Sequence, residues 1–503
     1  MISVTLNIAN FEYDIHSLVK AFFPKEEVSV SAEAKVLGEE PLFSMTITYE
    51  LFCKTDAQKE NSVTEKEQKE KRDRILFFID GVEKKQIFVN YDDRTETKNR
   101  LKQALYQVLS EYTGSTLPWG TLTGIRPTKI PMSFLEEGKD EAWIRQYMKD
   151  TYYASDEKIA LSVDIAKREL KLLEKIDYEE GYSLYIGIPF CPSTCLYCSF
   201  TSYPLGKWAS RMDEYLDALE KEIDFTAEAC KHKKLNTIYI GGGTPTTLTA
   251  EQLDRLLTKI EQTFDFSSLV EYTVEAGRPD SITREKLQAL RKHNISRISI
   301  NPQTMKQATL DLIGRHHTVE QTIESFQLAR ELGFDNINMD LIVGLPGEDI
   351  EDVRNTMEQL KILNPESITV HSLAIKRAAR LRMFKEEYQD LQMTNTWEII
   401  DLTARYANDL GLEPYYLYRQ KNMAGNFENV GYAKPGCAGI YNILIMEEKQ
   451  SIIALGAGAT TKFVFDEGRR IERTENVKDI TNYLERVDEM IERKRVSFEM
   501  YMT

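Results

Sequence analysis

From Ser183 to Leu373, short runs rich in β-branched and aliphatic residues alternate with segments whose apolar residues recur at helical spacing. The strand-like runs are SLYIGIPF, LNTIYIGGG, VEYTVEA, ISRISINPQ, INMDLIVGLP and SITVHSL; the helical patterns lie at about 208–230, 250–263, 281–293, 318–332 and 349–363. Repeated strand–helix units predict an α/β fold with a parallel sheet and right-handed crossovers. Runs such as IYI, ISRISI and MDLIV read as near-continuous apolar strands covered on both faces. We expect an open, partial (β/α)6 barrel over 181–373, with the polar residues that end its strands facing one mouth.

The flanks have different patterns. Residues 1–112 alternate β-rich runs (Ile2 to Ile8, Val28 to Val36, Ser44 to Phe52, Ile75 to Ile79, Gln86 to Tyr91) with helical stretches near 13–22 and 95–112, which predicts a small α+β domain. Lys54 to Arg74 is charged and almost free of apolar residues, so it reads as a solvated connection. Turn formers in LPWGTLTGIRPTKI and helical patterns at about 139–151 and 155–174 predict a helical bridge over 113–180. Beyond 374, helices at about 391–410 and 476–494 enclose a β-rich stretch between 414 and 466. This predicts a C-terminal α/β extension, 374–503, for which we expect a substrate-covering role.

Composition narrows the class of function. The 503 residues carry 64 Lys and Arg against 80 Asp and Glu, a net charge of -16, which repels nucleic acid and anionic membranes. With 42% hydrophobic residues the chain can build real cores. No segment approaches the roughly 18 apolar residues of a membrane span, and MISVTLNIANFEYD has no basic stretch followed by an apolar one. The expectation is a soluble cytoplasmic enzyme.

Of six cysteines, Cys191, Cys195 and Cys198 fall within IPFCPSTCLYCSF, directly after the first barrel strand. Chance would supply only about 0.001 such registers in the chain. Structural zinc normally completes four ligands with a second Cys pair or histidines at fixed offsets, and none follows here. An iron–sulfur cluster held by three thiolates, with one iron open, suits the pattern better. Cys53, Cys230 and Cys437 stand alone and receive no chemistry.

The next strand ends in Gly241-Gly242-Gly243-Thr244-Pro245-Thr246, where glycines admit a ligand close to the backbone. Later strand ends carry Glu275 in TVEAGRP, Gln303 in INPQT and Asp340 in NMDLIVGLPGE, and LIGRHH places Arg315 beside His316 and His317, which read as surface residues. Taken singly, Glu275 or Asp340 reads as a helix cap.

Together these motifs resemble the radical S-adenosylmethionine (SAM) superfamily, and the GGGTPT form resembles its HemN-like branch, the oxygen-independent coproporphyrinogen III oxidases. LTGIRPTKI and the N-terminal domain narrow the likeness further. The resemblance implies a 4Fe–4S cluster on Cys191, Cys195 and Cys198 whose fourth iron binds the amino and carboxyl groups of SAM. It implies that Gly242, Gly243 and Thr244 lie at the methionine amino group, that Glu275 and Asp340 accept the ribose hydroxyls, that Gln303 and Arg315 contact the methionine end, and that Tyr185 packs on SAM in a catalytic position.

The implied reaction begins when reduced flavodoxin or ferredoxin delivers an electron. SAM cleavage to methionine and a 5′-deoxyadenosyl radical, hydrogen abstraction from a coproporphyrinogen propionate and loss of carbon dioxide and an electron then leave vinyl groups, giving protoporphyrinogen. Gly187 stands where many HemN-like enzymes have histidine, and Ser199-Phe200 where the oxidases have a further cysteine, nearer the branch that includes heme chaperones. Two alternatives follow: a radical SAM methyltransferase or ring-opening enzyme acting on heme, and a heme chaperone. A tetracarboxylate substrate needs local cations. Candidates are Arg377 and Arg380 in HSLAIKRAARLRMF, with Lys376, Arg382 and His371 nearby, and Arg419 in the aromatic segment Tyr415 to Arg419. Gly456 and Gly458 in ALGAGAT would admit a flat ring closely.

Overall fold

The computed structural model describes residues 1–32, 41–51, 72–200, 202–374, 393–420 and 427–502. The charged Lys54–Arg74 segment thus lies almost wholly outside the described residues, as do Cys53 and the cations Lys376, Arg377, Arg380 and Arg382. The chain forms two compact units, 1–163 with 419–427, and 164–418 with 428–503.

The first unit holds a five-stranded sheet. Its strands are β1 (Ile2–Leu6), β2 (Val28–Ser31), β3 (Ser44–Glu50), β4 (Arg74–Ile79) and β5 (Val82–Phe88), in the order β2-β1-β3-β4-β5. Asp80 and Gly81 both take positive φ between β4 and β5, as a two-residue hairpin turn demands. Helices Glu12–Phe22 and Arg94–Thr113 contribute Ile15, Leu18, Leu101, Leu105 and Leu109 to its core. The expected boundary at 112 is corrected. Leu117 belongs to that core, Tyr153 packs against it, and the Thr121 amide donates to the Tyr152 carbonyl at 2.7 Å, so most of the expected bridge is part of this unit.

The second unit is built on an eleven-stranded sheet. In chain order its strands are β6 (Gly181–Ile188), β7 (Lys234–Gly242), β8 (Glu271–Gly277), β9 (Arg297–Ile300), β10 (Ile337–Val343), β11 (Ser367–Ser372), β12 (Glu413–Tyr418), β13 (Asn429–Ala433), β14 (Ser451–Leu455), β15 (Thr460–Phe465) and β16 (Arg470–Glu475). The sheet order is β12-β13-β11-β10-β9-β8-β7-β6-β14-β15-β16, with β6 to β11 parallel neighbours as expected. The crossover helices after β7, β8, β9 and β10 start at the side-chain caps Thr249, Thr283, Thr318 and Asp349. Thr249 with Gln252 and Thr318 with Gln321 form reciprocal capping boxes.

The C-terminal region is not a separate layer. Its β13 pairs antiparallel with β11, and β14 pairs parallel with β6, so it lengthens the sheet at both edges. β12 and β16 end the order, and the sheet stays open.

The strands also differ from the continuous apolar runs expected of them. Register pairs Tyr185 with Tyr239, Glu275 with Ser299, Ser299 with Asn338, and Asp340 with Thr369, which puts all of these on one face. Leu184, Ile238, Val274, Ile298, Met339 and Ile368 take the other, each fully buried. One face thus meets helices while the inner face of the open barrel is polar. In IYI only the tyrosine points inward.

Candidate functional site

After β6, Phe190–Cys191 makes a short parallel ladder with Tyr203–Pro204, and the intervening chain folds back as a loop. The Gly243 amide donates to the Ile188 carbonyl at 2.8 Å and the Thr244 amide to the Phe190 carbonyl at 2.7 Å, tying this loop to the end of β7. A Cβ on Gly243 would lie 2.5 Å from the Phe190 carbonyl oxygen, so only glycine permits the approach. Farther on, the Leu196 amide donates to the Ile313 carbonyl at 2.9 Å, and Ser193 Oγ donates to the Gly314 carbonyl at 2.9 Å.

Cys195 is buried, and Cys191 and Cys198 are half-buried. Burial pushes the Cys191 thiol up to about 11; Thr244, whose Oγ1 donates to Cys191 Sγ at 3.6 Å, opposes this, and the other two thiolates reinforce it. Three crowded thiolates are unfavourable alone and favourable once cationic iron shares their charge. Among the described residues no three His, Cys, Asp or Glu side chains are placed to hold one metal ion. A cluster imposes no such convergence, because each thiolate binds a different iron. The residues present therefore fit a three-cysteine cluster.

The neighbouring strand ends carry the acidic groups. Glu275 is half-buried and accepts the Tyr239 hydroxyl at Oε1. Burial raises its carboxyl to about 7, with Asp340 reinforcing and the Tyr239 hydroxyl and Gly242 amide opposing. A Cβ on Gly241 would meet the Glu275 carboxyl carbon at 2.9 Å, and one on Gly242, where φ is 106°, would meet Tyr185 Oη at 3.0 Å. Tyr185, Tyr239 and Tyr441 form a near-parallel stack, with Tyr239 and Tyr441 centroids 4.5 Å apart. Glu271 holds Tyr441 there by accepting the Ile440 and Tyr441 amides at the start of helix Ile440–Glu447.

Asp340 accepts from Asn338 Nδ2 at 2.7 Å and lies 4.0 Å from His371 Nε2. The opposite ring nitrogen of His371 is 3.1 Å from the Tyr418 hydroxyl. Gln303 is buried with φ 67°, a conformation costing about 1 to 3 kcal/mol for a side-chain-bearing residue. Two bonds enforce it: its amide donates to the Asp340 carbonyl at 3.0 Å, and its carbonyl accepts the Ile342 amide at 2.9 Å.

Arg315 is buried, donates to the Asn301 carbonyl and faces Cys195 and Tyr197. His316 is exposed as expected, whereas His317 is fully buried, a correction to its surface reading. Arg419 is also buried: its Nη1 donates to the Leu122 carbonyl at 2.5 Å and its guanidinium lies over the Trp119 ring, within the first unit. A cavity of about 290 Å³ adjoins the cysteine loop, lined by Tyr185, Gly187, Ser199, Phe200, Gly242 and the Ala457–Thr460 turn. Gly456 fits closely beside it, since a Cβ there would lie 2.5 Å from the Gly187 carbonyl oxygen. Sequence reasoning missed Tyr239, Arg278 and Tyr441. The first was accessible through period-two alternation back from Gly241, and the second as the residue following EAG; nothing local marks the third.

An open sheet whose six central strands are parallel, with three cysteines after the first of them and carboxylates at later strand ends, is the arrangement of a radical SAM protein, and the Radical SAM superfamily matches residues 185–360. The chain is 42% identical over 428 residues to the oxygen-independent coproporphyrinogen-III oxidase-like protein HemZ of Bacillus subtilis (strain 168), covering 84% of each chain. It belongs to the HemN/HemZ family of radical SAM proteins, which use a 4Fe–4S cluster and SAM. It is also 40% identical over 195 residues to the heme chaperone HemW of Bacillus subtilis (strain 168), covering 39% of this chain and 51% of that one. Among solved structures, coproporphyrinogen III oxidase (HemN) from Escherichia coli shares the fold with a TM-score of 0.50 at 23% identity, covering 64% of this chain and 73% of that one. No described helix is long and apolar enough to cross a membrane.

Proposed function

We propose that the chain is an oxygen-independent coproporphyrinogen dehydrogenase, converting propionate side chains of coproporphyrinogen III to vinyl groups. The observation that carries this reading is the similarity to the HemZ protein over 84% of both chains. Each propionate gives up one hydrogen atom, one carbon dioxide and one electron. When bound, the cluster and SAM supply the radical that takes the hydrogen atom.

The chain's own residues do the rest. Cys191, Cys195 and Cys198 hold the cluster. Ionised Glu275 and Asp340 accept the ribose hydroxyls, for which a carboxylate is the natural acceptor. Gly242, Gly243 and Thr244 leave room at the methionine amino group, Gln303 and Arg315 bound the methionine end, and Tyr185 presents a ring to SAM. Cys195, Thr244, Gln303 and Arg315 are buried, which limits the access of water to a reactive radical at this end of the sheet. Arg377 and Arg380 are proposed to take propionate carboxylates, the C-terminal region to cover the substrate, and reduced flavodoxin or ferredoxin to supply the electron.

A second reading, a heme chaperone, is favoured by the 40% identity to HemW and by Ser199-Phe200 beside the cluster loop. Anaerobic incubation of reconstituted protein with coproporphyrinogen III and with heme, in parallel, tests both by product mass spectrometry. Successive loss of carbon dioxide and hydrogen from coproporphyrinogen supports the proposal. Tight heme binding without decarboxylation supports the chaperone, and a methylated or opened heme product would identify a different enzyme.

A further inference from the structure

Arg278, the fourth residue of EAGRPDS, lies just past the end of β8 and is only 3% exposed. One edge of its guanidinium is held by Asp280, with Nε to Oδ1 at 3.0 Å and Nη2 to Oδ2 at 2.6 Å. That bidentate grip fixes the plane of the fork. Its remaining nitrogen, Nη1, points at the cysteine loop, donating to Ser193 Oγ at 2.8 Å, to the Ser193 carbonyl at 3.1 Å and to Cys195 Sγ at 3.9 Å. Arg315 faces the same sulfur.

His317 is fully buried nearby, and neither ring nitrogen has a hydrogen-bond partner. Burial, reinforced by Arg315, lowers it to about 4, so it adds no charge at neutral pH. Among the described residues, the charged groups that act on one another here are the guanidiniums of Arg278 and Arg315 and the carboxylate of Asp280. A net positive charge and an N–H donor thus lie against the Cys195 sulfur, whereas the Thr244 hydroxyl donates to Cys191, on which Arg278 acts by its charge alone.

We infer that Arg278, oriented by Asp280, is a positioning and tuning residue for the cluster: it holds the 191–198 loop and makes one-electron reduction of the cluster easier by placing a cation beside the Cys195 sulfur. Hydrogen bonds to cluster sulfurs and local charge are among the terms that set cluster potentials. The inference rests on the cluster reading of the three cysteines. A residue that only braced the loop would affect folding and iron retention and leave the potential of the remaining clusters unchanged.

The test is a mediated redox titration of anaerobically reconstituted protein followed by electron paramagnetic resonance, with iron and sulfide counted in the same samples. Arg278→Gln, which keeps a donor and removes the charge, should shift the one-electron equilibrium about tenfold toward the oxidised cluster, about 59 mV more negative. Arg278→Lys restores the charge and should recover most of that shift. Asp280→Asn removes the opposing charge and should move the potential the other way. An unmoved potential in Arg278→Gln at full iron content overturns the inference. If Arg278→Gln fails to hold iron, the sign in Asp280→Asn decides, and a potential that is unmoved or more negative there is equally fatal. Wild-type protein that takes up no iron and sulfide would instead sink the cluster reading itself.

Discussion

Two carboxylates in the second unit, the fully buried Glu222 and the half-buried Glu275, behave in opposite ways. Glu222, on helix Met212–Ala229, is fully buried and forms an ion pair with the equally buried Lys494. It also accepts from the Gly456 amide at 2.8 Å, Asn476 Nδ2 at 2.9 Å and the Tyr483 hydroxyl at 2.5 Å. Burial works against its ionisation, but Lys494 and these donors overcome that, and its carboxyl falls below the usual range. Glu275 has one hydroxyl and one amide to set against burial and the charge of Asp340, and it rises to about 7. Glu222 is saturated and acts as a rivet, pinning the 456–459 turn to the body of the unit. Glu275 keeps acceptor capacity in reserve. A carboxylate left under-satisfied at a strand end is fit to receive a ligand's hydroxyls, whereas a saturated one is not.

The largest effect should come from breaking the rivet. Lys494→Met leaves Glu222 buried and unpaired, and urea unfolding should report a loss of about 3 to 5 kcal/mol. A loss below about 1 kcal/mol would show that Glu222 is not held by charge. Glu275→Gln should do the reverse: unfolding free energy at neutral pH stays level or rises, while SAM affinity, measured anaerobically by calorimetry, drops by on the order of 1 to 3 kcal/mol. Asp340→Ala should weaken SAM binding without loss of iron.

The two groups also separate by pH. For Glu275, whose folded pKa is raised, the stability contribution is fully present below the unfolded value of 4.5 and is lost as pH rises to about 7. For Glu222, whose folded pKa is depressed, the contribution is present above 4.5 and is lost as pH falls through the lower folded value. Urea titrations across pH should therefore show Glu275→Gln flattening the window between 4.5 and about 7 and leaving the acid limb intact. The smallest effect is expected at the stack. Tyr441→Leu should cost about 0.5 to 1.5 kcal/mol, read as a small drop in urea midpoint.

What could be read from the chain beforehand was whatever is local. The Cys-x3-Cys-x2-Cys loop, the glycine run after β7 and the helix caps are encoded within a few neighbouring residues. The order of strands β6 to β11 follows from right-handed crossovers. What escaped was nonlocal. Glu222 and Lys494 are 272 positions apart, and no periodicity pairs them. Tyr441 joins the inner face from a helix following β13, and β14 returns to pair with β6, so the C-terminal α/β extension adds strands to the sheet at a distance that no local pattern announces. His317 reads as a surface residue because its hydrophilic neighbours, Arg315 and His316, suggest a surface loop, whereas the chain turns inward toward Arg278 and Asp280.

The central claim, that Glu275 is held in reserve for SAM, is tested most directly by SAM affinity as a function of pH in anaerobically reconstituted wild-type protein and in Glu275→Gln. An ionised carboxylate is the better acceptor, so wild-type affinity should rise between about pH 6 and about pH 8 as Glu275 ionises, while the variant binds more weakly and shows no such rise. Equal affinity in the two proteins across that range would contradict the account.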